Sequence, residues 1–265
     1  MKCIEVVING ALGKMGREII EAVVHDPGLR LVGAVEKEVT QRYLPLVDVP
    51  WLVPFSSDID SLLKSCNPAV MVDFTTAEVA MAAARIALSQ KTNVVIGTTG
   101  LSEDNLAEIK KLCRVNGVGA LVAPNFSVGA ALLMRLSKLV AKFFDHAEII
   151  EMHHEEKIDA PSGTALATAK AMSQAHGKPF IYHGADVETL GGTRGGKIDG
   201  IAIHSLRMPG FMAGQEVIFG GAGETVHLRH ETISRACYAP GVILAIKEVV
   251  KRKGLIYGLD ILLKL

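Results

Sequence analysis

A doubly wound parallel α/β sheet of the Rossmann type, followed by a smaller α+β region, is the fold class predicted by this 265-residue sequence. Three observations predict it. Short β-branched runs alternate with helical patterns along the first half of the chain. A glycine-rich turn separates the first run from the first helical pattern. Beyond Asn125, extended runs follow one another without helices between them, which suggests an antiparallel sheet.

The elements follow in order. Ile4–Ile8 is a buried strand, and a helical pattern runs from about Lys14 to Val24. Leu29–Val35 is a second strand, and Asp58–Leu63 reads as a short helix. Ala69–Phe74, Asn93–Ile96 and Val118–Ala123 are further strands. Thr76–Gln90 is an alanine-rich helix between the first two of these. Another helix is capped by Ser102, with Glu103 and Asp104 in its positive first turn. A long helix is expected from Val128 to Phe144, then a strand at Ala147–His153 and a helix at Thr164–His176, with Gly177 at its C-terminal cap. Gly200–Arg207, Gln215–Phe219 and Thr225–His230 are strand candidates. Pro240–Lys253 is a final helix, and the run Leu255–Leu263 ends the chain. Two lobes are expected, 1–125 and 126–236, with 237–265 returning to the first.

Composition narrows the function. Lys+Arg and Asp+Glu number 28 each, so the basic footprint of a nucleic-acid binder is missing. With 49% hydrophobic and 21% charged residues the chain is globular rather than disordered. The longest charge-free stretch, Val115–Met134, holds Asn116, Pro124, Asn125 and three glycines, which suit a strand, loop and helix better than a membrane span. The N-terminal stretch meets Glu5 too soon for a secretory signal. Cys3, Cys66, Cys113 and Cys237 are widely spaced and read as reduced core thiols of a cytoplasmic protein.

Three motifs carry chemistry. Gly10-Ala11-Leu12-Gly13-Lys14-Met15-Gly16 follows the first strand and opens a helix, where backbone N–H groups can receive a pyrophosphate. Glu36 ends the second strand, twenty residues beyond Gly16, where a carboxylate can bind adenosine ribose hydroxyls. Gly97-Thr98-Thr99-Gly100 and Ala123-Pro124-Asn125-Phe126 lie at later strand ends, the usual position for ligands of such sheets. Small residues at 97–100 leave room for a flat ring, although a plain loop fits equally well, and Asn125 supplies amide contacts or caps the next helix.

The third motif runs from Glu151 through His153, His154, Lys157 and Asp159 to Ser162, Gly163 and Thr164. Ser162, Gly163 and Thr164 at a helix N-terminus make an anion site, Lys157 adds positive charge, and a histidine moves protons near neutral pH. A capped helix with solvated charges is the plain alternative. A metal site is disfavoured because neighbouring strand residues point to opposite faces, which separates His153 from His154. Arg194-Gly195-Gly196 reads as a flexible loop or a mobile lid.

The phrases GALGKMG, GTTG, APNFSVG, EMHHEEKIDAPSGTA, IAIHSLRMPG and ETVHLRHETISR together resemble the 4-hydroxy-tetrahydrodipicolinate reductase family, also called dihydrodipicolinate reductases, over nearly the whole chain. The stretch from Lys37 to Phe55 is shorter than is usual there and lacks a glycine-rich segment. Lys37 stands where many members have arginine. The resemblance implies an enzyme of the diaminopimelate route to lysine, which reduces 4-hydroxy-tetrahydrodipicolinate, after loss of water, to tetrahydrodipicolinate with NADH or NADPH. It implies that His153 is the general acid, helped by Lys157, and that His154, Ser162, Gly163 and Thr164 hold the dicarboxylate. Gly10 to Gly16, Glu36, Lys37, Gly97, Thr98, Thr99 and Ala123 to Phe126 would hold the cofactor. No metal, nucleic acid or membrane is expected. A homotetramer built through the second lobe, between Gly200 and His230, is. An NAD-sensing regulator without turnover and a metal hydrolase are the alternatives, although the first has no need of His153 with Lys157 and the second none of Glu36.

Overall fold

The first half of the chain forms strands that are buried on both faces, the condition under which a short apolar run stays extended. The structure is a computed structural model and describes residues 3–46 and 49–263. Part of the shortened stretch beyond Lys37 therefore lies outside the described residues. Two compact units result. Among the described residues, one comprises those from 3 to 127 with 238–263, and the other 128–237.

In the first unit, strands β1 (Ile4–Asn9), β2 (Leu29–Val35), β3 (Phe55–Ser56), β4 (Val70–Asp73), β5 (Asn93–Ile96), β6 (Gly119–Val122) and β12 (Gly254–Tyr257) form one parallel sheet in the order β12-β6-β5-β4-β1-β2-β3. The chain moves outward from β1 through β2 to β3, then returns to start again at β4. This reversal between β1 and β4 opens the crevice where such sheets bind ligands. Helices α1 (Lys14–His25), α2 (Ile59–Cys66), α3 (Ala77–Ser89) and α4 (Glu103–Asn116) supply the crossovers. Their starts are written in the sequence. Asp58 caps α2 by accepting from Ser61 N, and Ser102 caps α4 in a reciprocal capping box with Asn105. The run Leu255–Leu263 divides into β12 and a 3₁₀ turn, Asp260–Leu263.

The second unit holds α5 (Val128–Val140), β7 (His146–His153), α6 (Gly163–His176), β8 (Gly196–Ile198), β9 (Ile201–Arg207), β10 (Ala213–Gly221) and β11 (Glu224–Thr232). Its sheet runs in the order β11-β10-β7-β9-β8; β10–β11, β10–β7 and β8–β9 are antiparallel as expected, while the parallel β7–β9 pair makes the sheet mixed and corrects the all-antiparallel expectation. β7 and β9 run parallel because α6 lies in the connection between them and brings the chain back to the same end. Arg194-Gly195-Gly196 leads into the edge strand β8 rather than forming a free lid, and Arg194 pairs with Glu148 on β7. α5 stops at Val140, short of Phe144. Lys142 and Phe143 donate to Leu139 and Val140, which tightens the last turn and brings Phe144 against Phe219 with ring centroids 5.9 Å apart. Of the cysteines only Cys113 is a core residue, where burial pushes its thiol up to about 11, while Cys3 is exposed.

Helix α7 (Ala239–Val249) carries the chain back into the first unit, and it ends before Lys253 so that Gly254 N can donate to Val118 O and start β12. Its first turn lies tight against the loop after β6. A Cβ on Gly241 would stand 2.0 Å from the Phe126 carbonyl oxygen. Backbone at that distance cannot yield like a flexible side chain, so Gly241→Ala should destabilise the first unit by about 1–3 kcal/mol. Urea unfolding of the variant and the parent gives the difference directly.

Candidate active site

The glycine turn of the first unit is shaped for close approach of a phosphate. Gly10 takes φ +82°, and a Cβ on it would lie 2.8 Å from Phe74 O. A Cβ on Gly16 would lie 2.0 Å from Gly10 O, so only glycine lets α1 pack this closely on the turn. Gly13 is the N-cap of α1 and provides no side-chain hydrogen bond. The first N–H groups of α1, on Lys14, Met15 and Gly16, have no acceptor within the helix and suit a pyrophosphate. Glu36 closes the turn from β2: its carboxylate accepts from Leu12 N at 2.9 Å and from Lys37 N at 3.0 Å. Ala11 is buried against β2, its N–H donating to Val35 O. A cavity of about 450 Å³ opens here, lined by Gly10, Gly13, Glu36, Lys37, Phe74 and Thr75 among others. These residues fit a dinucleotide.

The other strand ends are tied together by a carboxylate that lies outside the three motifs. Asp73, at the end of β4, is fully buried. Its Oδ1 accepts from Thr98 Oγ1 at 2.7 Å, Thr75 Oγ1 at 2.9 Å and Thr75 N at 3.1 Å; its Oδ2 accepts from Asn9 Nδ2 at 2.6 Å. Burial pushes this carboxyl above the usual carboxylate range, against those hydrogen bonds. Thr98 is therefore held inside the 97–100 loop, while Thr99 is exposed. Phe74 lies directly on Gly97, where a Cβ would meet its ring at 2.1 Å. Phe126 packs 5.8 Å from Phe74, centroid to centroid. Pro124 is exposed, Ala123 is buried, and Asn125 accepts from Ser127 N at 2.8 Å to form a turn. An acidic residue in the otherwise apolar run Ala69–Phe74 was the available signal for Asp73.

The second unit gathers the third motif. Along β7, Ala147, Ile149, Glu151 and His153 alternate onto one face. The first two join the core under α6, so Glu151 is carried into the same buried layer. Ionised Glu151 can only accept, and its Oε2 lies 2.5 Å from His153 Nδ1. Arg207, paired with His153 in the β7–β9 ladder, grips the same carboxylate in a fork, at 3.0 Å to Oε2 and 2.7 Å to Oε1. Ser162 N donates to Glu151 Oε1 at 3.3 Å. Arg207 also donates to Asp159 O at 2.7 Å. Burial pushes Glu151 up, but hydrogen bonds from His153, Arg207 and Ser205 and the charge of Arg207 outweigh it and hold the carboxyl at about 2.

The remaining motif residues surround this pair. His154 lies half-buried just past the strand, and its carbonyl accepts from Lys157 N at 3.2 Å in a tight turn. Lys157 Nζ rests 2.6 Å from Asp159. Ser162 is buried and caps α6 by accepting from Ala165 N, so its oxygen serves the helix while its O–H can still donate outward. Gly163 is exposed, with open space where a Cβ would stand, and Thr164 follows at half burial. Among the described residues no three of His, Cys, Asp and Glu gather as a metal-binding group. Glu151 opens the third motif, whereas Arg207 lies 56 residues beyond it in the sequence. Their pairing depends on strand register, which no local pattern displays.

A doubly wound unit with a glycine turn and Glu36, followed by a second unit with a mixed sheet, defines the class of two-unit oxidoreductases with a dinucleotide-binding fold. The family models "Dihydrodipicolinate reductase, N-terminus" and "Dihydrodipicolinate reductase, C-terminus" match residues 4–126 and 129–263. A 4-hydroxy-tetrahydrodipicolinate reductase of Dehalococcoides mccartyi is 48% identical over 265 residues, all of both chains. That of Moorella thermoacetica is 46% identical over 263 residues, 98% of each. The dipicolinate-bound dihydrodipicolinate reductase from Paenisporosarcina sp. TG-14 superposes with a TM-score of 0.88 at 38% identity, over 97% of this chain and 98% of that one. The chain belongs to the 4-hydroxy-tetrahydrodipicolinate reductase family and is an oxidoreductase of lysine biosynthesis by the diaminopimelate route. No helix among the described residues is long and apolar enough to cross a membrane.

The ionised state of Glu151 links stability to pH. Its carboxyl is lower in the folded chain than the ordinary 4.5. The stabilisation is therefore complete above about pH 4.5 and is lost as the pH falls toward about 2. A displacement of that size corresponds to about 3 kcal/mol. Denaturant unfolding across this range should show the parent losing more stability than Glu151→Gln, and equal slopes would rule out a depressed Glu151.

Proposed function

We propose that this chain carries out the reaction for which its family is named, the reduction of 4-hydroxy-tetrahydrodipicolinate, after loss of water, to tetrahydrodipicolinate. The observation that carries the reading is the His153–Glu151 contact, which occupies Nδ1 and leaves imidazole Nε2 as the atom that carries the transferred proton. Reduced nicotinamide, when bound, supplies a hydride. His153 holds a proton at Nε2 and gives it to the ring atom next to the reduced carbon, so one hydride and one proton together saturate one double bond. Lys157, released from Asp159, helps neutralise the dicarboxylate. His154, Ser162, Gly163 and Thr164 hold its carboxylates through N–H groups, hydroxyls and the helix dipole. Gly10 to Gly16 and Glu36 hold the dinucleotide, with Gly97, Thr98, Thr99 and Ala123 to Phe126 around the nicotinamide end. The second unit also builds a homotetramer, for which β11, a nine-residue strand at the sheet edge, offers a pairing surface.

The test is a coupled assay in which substrate is made in situ and loss of reduced-cofactor absorbance is followed. His153→Ala should lower kcat by about 10²–10⁴-fold, with little change in cofactor affinity, because a general acid acts in the transition state. Near-normal turnover would remove the assignment. Pyridine-2,6-dicarboxylate should compete with substrate in the parent, and Lys157→Ala or Thr164→Val should weaken both substrate use and that competition.

Both NADH and NADPH should serve. Glu36 favours free ribose hydroxyls and repels a 2′-phosphate, while exposed Lys37 offers that phosphate a point charge without arginine's fork. NADH should be at least as efficient as NADPH. Lys37→Ala should lower kcat/KM for NADPH selectively, and an equal loss for both cofactors would show that Lys37 does not read the phosphate.

A further inference from the structure

We propose that Glu151 is the positioning residue for His153, and that Arg207 holds Glu151 in place for that task. The inference rests on the reading of His153 as general acid. A histidine on a strand can present either ring nitrogen outward, and a neutral imidazole with no fixed partner exchanges between its two tautomers. Glu151 removes that freedom. An ionised carboxylate has no proton to give, so His153 Nδ1 must donate to Oε2 at 2.5 Å in both the charged and the neutral ring. The proton that comes and goes is then confined to Nε2. When Nε2–H transfers its proton, the ring passes from imidazolium to neutral imidazole with Nδ1–H kept, and no second proton moves.

Arg207 makes the arrangement durable. Its fork occupies one lone pair on each oxygen of Glu151, and Ser162 N takes a further position on Oε1. Rotation of the carboxylate away from His153 would break three hydrogen bonds at once. Through Asp159 O the same guanidinium ties down the segment that carries Lys157 and leads to α6. One ion pair therefore sets the imidazole, the lysine turn and the anion-binding helix start in a common register. The charged groups joined to His153 are Glu151 on its own strand and, through it, Arg207 from β9, whose guanidinium also reaches the Asp159 carbonyl.

The experiment combines a double-mutant cycle with a direct look at the ring. Glu151→Gln should lower kcat about 10–100-fold. KM for the cofactor should stay unchanged. In a His153→Ala background the same change should cost almost nothing further, because two groups that act as a unit are not additive. A full additional loss in that background would mean that Glu151 supports the fold rather than His153. Turnover of Glu151→Gln equal to the parent, with His153→Ala inactive, would overturn the proposal and leave the acid assignment standing. Active His153→Ala would instead overturn the acid assignment. A measurement on the parent needs no variant: ¹⁵N NMR of the imidazole should show the neutral ring of His153 protonated at Nδ1 alone. A neutral ring protonated at Nε2, or a mixture, would overturn the proposal even if Glu151→Gln does not fold.

Discussion

The second unit is organised around a buried carboxylate that meets a forked guanidinium. Glu151 and Arg207 come from neighbouring parallel strands, and each would be untenable alone, since an unpaired charge in the interior costs several kcal/mol. As a device for stability the pair is weak, and Arg207 Nε stays buried without an acceptor. What it supplies is direction. Besides Arg207 and Ser205 on β9, Glu151 meets two parts of the site: His153 on one oxygen, the start of α6 on the other. A hydrophobic pair of the same volume would fill the space and orient nothing.

A comparable arrangement serves the first unit. Asp73 is buried where β1, β4 and β5 end, and its four hydrogen bonds come from Asn9, Thr75 and Thr98. Those residues belong to three different strand ends, so the loops around the crevice are fastened to one another as well as to the sheet. Glu36 adds a tie from β2 to the glycine turn through Leu12 N. The crevice is thereby set before any nucleotide arrives, which lowers the ordering cost of binding. Both units thus use a carboxylate at a strand's carboxyl end to fix polar loops that apolar packing cannot orient.

Local chemistry explains which parts of this were legible. The glycine turn, the caps at Asp58, Ser102 and Ser162, and the alternation of strand and helix depend on neighbours a few residues apart, and they stand where the residue types place them. The third motif was legible too, because His153, Lys157 and Ser162 to Thr164 lie in one short segment that leads from a strand into a helix. The parallel pairing of β7 with β9 was not. The extended runs after α6 have no helix between them and look antiparallel to one another, whereas β9 pairs with β7, the strand on the far side of α6.

The sequence by itself determined the class of fold, the glycine turn with Glu36, and the segment that carries His153, since each follows from steric and hydrogen-bonding preferences that act along the chain. Only the tertiary structure decided that Arg207, fifty-six residues from Glu151, completes that site, and that Asp73 fastens three loops. These contacts depend on which strands become neighbours and in what register. That choice is made by the burial of whole faces, such as the layer that Ala147, Ile149, Ile203 and Val217 share beneath α6, and no single residue carries it.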